Sequence, residues 1–134
     1  MSKQLKIVIP LDSNPVPYPH GIRSVPVFAA GKFKYINHYK TTRLKDFQDW
    51  VRMHARSAKN KHGFEIIEKF FKVDLYVVFK TRNHGDMDNV EKSIMDALQG
   101  EVFENDKWAC DKRVHYSYGK NSRIEIIIEK TDLP

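Results

Sequence analysis

One cysteine, Cys110, is all that this 134-residue chain contains. An internal disulfide is therefore impossible, and a reducing compartment fits. No apolar run approaches the length of a bilayer span, and the first residues lack the basic, apolar, small-residue order of a secretion signal. A cytoplasmic protein with no membrane partner is expected. The six histidines show no paired ligand spacing, which with a single cysteine argues against zinc. Neither a glycine-rich phosphate loop nor a Ser-His-Asp hydrolase motif is present. With no internal repeat, low-complexity tract or long linker, residues 1–134 read as one domain.

What is present is enough to build a core: 41% of residues are hydrophobic and 12% aromatic. The net charge of +6 is unevenly spread. Residues 1–72 carry 14 Lys+Arg against 5 Asp+Glu, whereas residues 73–134 carry 9 against 12. From Asp86 to Asp111 there are eight acids and two bases, Lys92 and Lys107. A basic chain with one dense acidic patch suits a polyanion binder that also holds a cation, since lysine and arginine neutralise phosphate while carboxylates ligate metal.

Periodicity places the elements. Residues 3–9 alternate as a strand, and Pro15, Pro17, Pro19 and Gly21 make residues 12–25 an extended loop. Residues 25–29 and 32–36 form a hairpin about Ala30-Gly31. A helix is predicted over 41–58, with Leu44, Phe47, Val51, Ala55 and Ala58 on one face and Thr41 or Thr42 as N-cap. On its polar face, Asp49 is placed to pair with Lys45 or Arg52. Residues 64–72 read equally as helix end or strand, and 73–80 as a strand. A second helix spans 89–98, with Val90, Ile94, Ala97 and Leu98 inward and Gly100 as its stop. Residues 113–118 and 123–129 read as a closing hairpin in which Ile124, Ile126 and Ile128 face inward. The plan is α+β, a mixed sheet with two main helices.

The acids nearest the second helix carry the chemistry. Asp88 is expected to cap that helix, in a capping box with Glu91. Asp86, two residues earlier, is expected to project beside Asp88 from the end of the preceding strand, so that both share one divalent cation. Mg²⁺ takes few hard oxygen ligands, keeps several waters and completes its shell with substrate phosphate, which turns such a site into a phosphodiesterase. Lys92, four residues after Asp88, falls on the same helix face and can stabilise phosphorane charge. Asp106 can return a third carboxylate, a role for which Glu101, Glu104 and Asp111 compete on composition. His84 is the one histidine near these acids, and an ordinary loop residue is its favoured reading.

Asp86-Met87-Asp88-Asn89, Lys92, Asp96-Ala97-Leu98 and Asn105-Asp106 together resemble the signature of RusA-type Holliday junction resolvases, common in prophages. More loosely, Ile9-Pro10, Pro15-Val16-Pro17, Arg23, Gly31-Lys32 and Tyr35 are similar to the family's N-terminal half. The resemblance implies a homodimer that presents two Mg²⁺-dependent sites, with Mn²⁺ as an alternative, to a four-way DNA junction and nicks it symmetrically. It implies Asp86, Asp88 and Asp106 as metal ligands and Lys92 as a catalytic partner. Asn105 stands where the family usually carries Asp. Arg23, Lys32, Lys34, Lys40 and Arg43 are the expected phosphate contacts, near Tyr35 and Tyr39.

Overall fold

The computed structural model describes residues 4–19, 23–29, 32–39 and 42–132. Its elements run β1 (Gln4–Pro10), β2 (Arg23–Ala29), β3 (Lys32–Tyr39), α1 (Thr42–His62), β4 (Phe71–Phe79), α2 (Met87–Leu98), a 3₁₀ turn (Asp106–Trp108), β5 (Ala109–Tyr118) and β6 (Arg123–Lys130). Four strands form one sheet in the order β1-β6-β4-β5, and β2 pairs with β3 separately. The β4–β5 ladder is parallel; those of β1 with β6 and β6 with β4 are antiparallel. This is the expected α+β plan with a mixed sheet.

Alternation explains the sheet. Leu5, Ile7 and Ile9 on β1 and Ile124, Ile126 and Ile128 on β6 are all buried, so each strand turns one face to the core. Strand β4 is the most apolar, with Val77, Val78 and Phe79 buried in succession, and it takes an interior position with both edges paired. Here the structure corrects the sequence reading: β5 and β6 are not a hairpin. They flank β4, so that Val78 faces Ser117 on one side and Arg123 on the other. The four-residue link between them crosses the end of β4, where the Gly119 N–H donates to Phe79 O at 2.9 Å. A Cβ at Gly119 would sit 2.8 Å from Val78 Cγ1, so only glycine fits this crossing unstrained.

Helix α1 packs on β1 and α2 through buried Leu44, Phe47, Val51 and Ala55. It runs four residues beyond the predicted end, because the extra turn is polar and carries no apolar period. Gly63, at φ 62°, ends it, and the Phe64 N–H closes back on Lys59 O at 2.9 Å, a left-handed C-terminal cap. Residues of α1, α2 and the inner sheet face form one buried cluster, each large apolar side chain contributing about 1.5–3 kcal/mol. The β2–β3 hairpin pairs Arg23 with Tyr39 through to Ala29 with Lys32. Lys40, Thr41 and Ala30-Gly31, where a turn is expected, lie outside the described residues.

Candidate active site

Helix α2 starts at Met87, two residues before the expected position 89. Its N-cap is Asp86, not Asp88: Asp86 Oδ1 accepts from the Asp88 N–H at 3.0 Å, and Asp86 O accepts from Asn89 and Val90. Strand β4 ends at Phe79, so residues 80–85 intervene and the expected projection of both aspartates from a strand end does not occur. Asp88 instead lies in the first helical turn, where a carboxylate complements the helix dipole. No capping box forms either. Glu91 reaches across to Lys112 on β5, with 2.6 Å between Oε1 and Nζ.

An open cleft of about 340 Å³ follows this face of α2, lined by Asp88, Glu91, Lys92, Met95, Asp96, Asp106, Lys112 and Tyr18. Three of the four expected site residues, Asp88, Lys92 and Asp106, thus line one cavity. Asp86 caps the helix beside it. Asp88 and Lys92 share a face because they stand four residues apart on α2. Asp106 is returned by the 3₁₀ turn, where its N–H donates to Gln99 Oε1 at 3.1 Å and Asn105 Oδ1 caps the turn by accepting from Lys107 N at 3.0 Å. An amide serves for that cap as well as a carboxylate would.

The rival acids are placed elsewhere. Glu101 is buried and clamped by Arg56 at 3.1 Å and Lys59 at 3.1 Å. Burial pushes its pKa up, but the hydrogen bonds and charges of Arg56 and Lys59 outweigh it, leaving the carboxyl below its ordinary value. Asp111 pairs with Arg113 at 3.6 Å in a hollow shared with Lys72 and Asp74. Glu104 is exposed and does not line the cleft. On α1, the expected Asp49–Arg52 pair forms at 3.2 Å, and Arg52 Nε also donates to Ala97 O.

Several contributors escaped sequence reading. Lys112 faces buried Val73 across the β4–β5 ladder, a placement invisible while β5 is paired with the wrong strand. Gln48, 2% exposed, donates to Asp96 Oδ2 at 2.8 Å and to Ser93 O at 3.0 Å, fixing one wall of the cleft from α1. Tyr116 on β5 donates to Met87 O at 2.8 Å. Its pKa is pushed up to about 12, first by burial and then by the carboxylates of Glu91, Asp88 and Asp86. His84 stacks on Phe79 at 3.9 Å, with Nδ1 against Gly85 O and Nε2 against Tyr118 Oη. Both ring nitrogens are engaged, as suits an anchor of the 80–85 loop.

Of the expected phosphate contacts, Arg23 stands in β2 and Lys32 and Lys34 in β3. Arg43 is exposed on α1 and lines a separate groove with Trp50 and Asp46. No helix among the described residues is long and apolar enough to cross a membrane.

Fold and cleft together define a small α+β domain whose acid-lined cavity is bordered by lysines. A family model described as Endodeoxyribonuclease RusA matches residues 25–129, which include the acidic signature, and the chain belongs to that family of Holliday junction resolvases. It is accordingly a nuclease of the endodeoxyribonuclease class. No match was found among curated proteins.

Proposed function

We propose that this protein resolves four-way DNA junctions by Mg²⁺-assisted hydrolysis of paired, symmetry-related phosphodiesters, acting as a cytoplasmic homodimer in recombination and repair. The observation that carries the reading is the meeting of Asp88, Lys92 and Asp106 in one cleft. Two sites related by a two-fold axis match the near two-fold symmetry of a junction.

Among the described residues, no three His, Cys, Asp or Glu side chains form a ready-made metal cage. The donors that are present still fit a hard cation. The four acids of the cleft, Asp88, Glu91, Asp96 and Asp106, offer only oxygen, and Mg²⁺ commonly binds through one or two carboxylates with water and substrate phosphate filling the rest. Asp88 and Asp106 would hold it, with Asp86 contributing the oxygen that its capping bond does not use. When bound, the metal lowers the pKa of an attacking water and polarises the phosphate. Lys92 places its ammonium where negative charge grows on the phosphoryl oxygens. Arg23, Lys32, Lys34, Lys40 and Arg43 supply phosphate contacts that orient the junction without reading its sequence.

A synthetic four-way junction with Mg²⁺ tests the reading: symmetric paired nicks are expected, and their absence would overturn it. Asp88→Asn should abolish cutting and preserve junction binding. Equal cutting of flaps or forks would replace the resolvase with a less selective branched-DNA nuclease.

A further inference from the structure

The cleft has a wall that lies outside the matched region 25–129. Residues 14–18 are strapped across α2 and the loop before it. Asn14 Oδ1 accepts from the Lys80 N–H at 2.7 Å, and Asn14 Nδ2 donates to Thr81 Oγ1 at 2.9 Å. Ser93 Oγ donates to Val16 O at 2.6 Å, Pro17 packs on Gly85, and the Tyr18 N–H donates to Asn89 O at 2.8 Å. At the end of this strap the Tyr18 ring lies under the Lys92 ammonium, 4.5 Å from Nζ to the ring centroid, and both residues line the cleft.

We infer that Tyr18 is a positioning residue for Lys92, its ring holding the ammonium over the cleft through a cation–π contact. The inference rests on the catalytic role proposed for Lys92. A lysine has a long flexible stem and strongly hydrated head, so it needs a fixed platform to meet a reacting phosphate reproducibly. An aromatic face supplies one without competing for protons or neutralising the charge, as a carboxylate would. The strap supplies the rigidity, because backbone and side-chain hydrogen bonds on both sides of Pro17 fix where the ring sits.

Two readouts test this in the full-length protein. The first is the Lys92 ε-methylene NMR resonance, assigned by its loss in Lys92→Arg. It should be shifted upfield by the ring current in wild type and in Tyr18→Phe, and should return to the position of a free lysine in Tyr18→Leu. The second is the kinetics of junction cleavage. Tyr18→Leu should lower kcat by about two- to fivefold at unchanged KM, because contact with a group that acts in the transition state is lost; Tyr18→Phe should restore the rate. A Tyr18→Leu protein cutting at the wild-type rate, or Tyr18→Phe as slow as Tyr18→Leu, would overturn the inference while leaving the nuclease reading intact. Wild type that cuts no junction would defeat the resolvase reading, and this inference with it.

Discussion

Gly85→Ala probes the link between the strap and the cleft. A Cβ at position 85 would lie 2.3 Å from Pro17 Cγ and 2.7 Å from Pro17 Cβ, whereas ordinary carbon contacts begin near about 3.5 Å. Something must move by roughly 1 Å. Pro17 cannot yield alone, because Val16 O is held by Ser93 Oγ at 2.6 Å and the Tyr18 N–H by Asn89 O at 2.8 Å. The strap should lift from α2, at a cost of about 1–3 kcal/mol for overpacking. For a chain of this size that lowers Tm by about 4–12 °C, measurable by circular dichroism. Junction cleavage should slow as Tyr18 moves from beneath Lys92. Pro17→Gly removes the opposing ring, so Gly85→Ala should cost markedly less in that background. Unchanged Tm and rate in Gly85→Ala, or equal costs in both backgrounds, would refute the close approach.

Two pH effects follow from buried Glu101 and half-buried Tyr116. Glu101, whose carboxyl lies below its ordinary value, contributes stability that is present above about pH 4.5 and is lost as pH falls through its folded value. Glu101→Gln should therefore destabilise the fold at neutral pH by about 1.5 kcal/mol, the lower end for a charged hydrogen bond because Arg56 is 61% exposed, and the loss should show as a lower Tm. It should also flatten the acid side of a Tm-versus-pH curve; an unchanged acid limb would contradict the clamp. Tyr116, raised to about 12, contributes stability that is complete below about pH 10 and is lost between about pH 10 and 12. Phenolate absorbance, taken as wild type minus Tyr116→Phe, should titrate near 12, and Asp88→Asn should lower that midpoint. A midpoint near 10 would mean that Tyr116 is solvated.

Local pattern sufficed for whatever depends on near neighbours in the chain. Alternating Leu5, Ile7 and Ile9 specified a strand, Leu44, Phe47, Val51 and Ala55 a helix, and the four-residue spacing of Asp88 and Lys92 a common face. The order of acids from Asp86 to Asp106 was enough to place the chain in its family. What depends on distant segments was decided only by the tertiary structure. A short turn with alternating strands on either side reads as a hairpin whether or not a third strand lies between, and it was the apolar surface of Val77 to Phe79 that drew β4 between β5 and β6. The N-cap passed from Asp88 to Asp86 because the helix begins at Met87, where the Asp86 carboxylate accepts from the Asp88 N–H. Glu101 became a structural ion pair because α1 continued to Lys59. Lys112 and Tyr18 entered the cleft from chain positions 20 residues after and 74 residues before Lys92, distances at which periodicity carries no information and only packing brings side chains together.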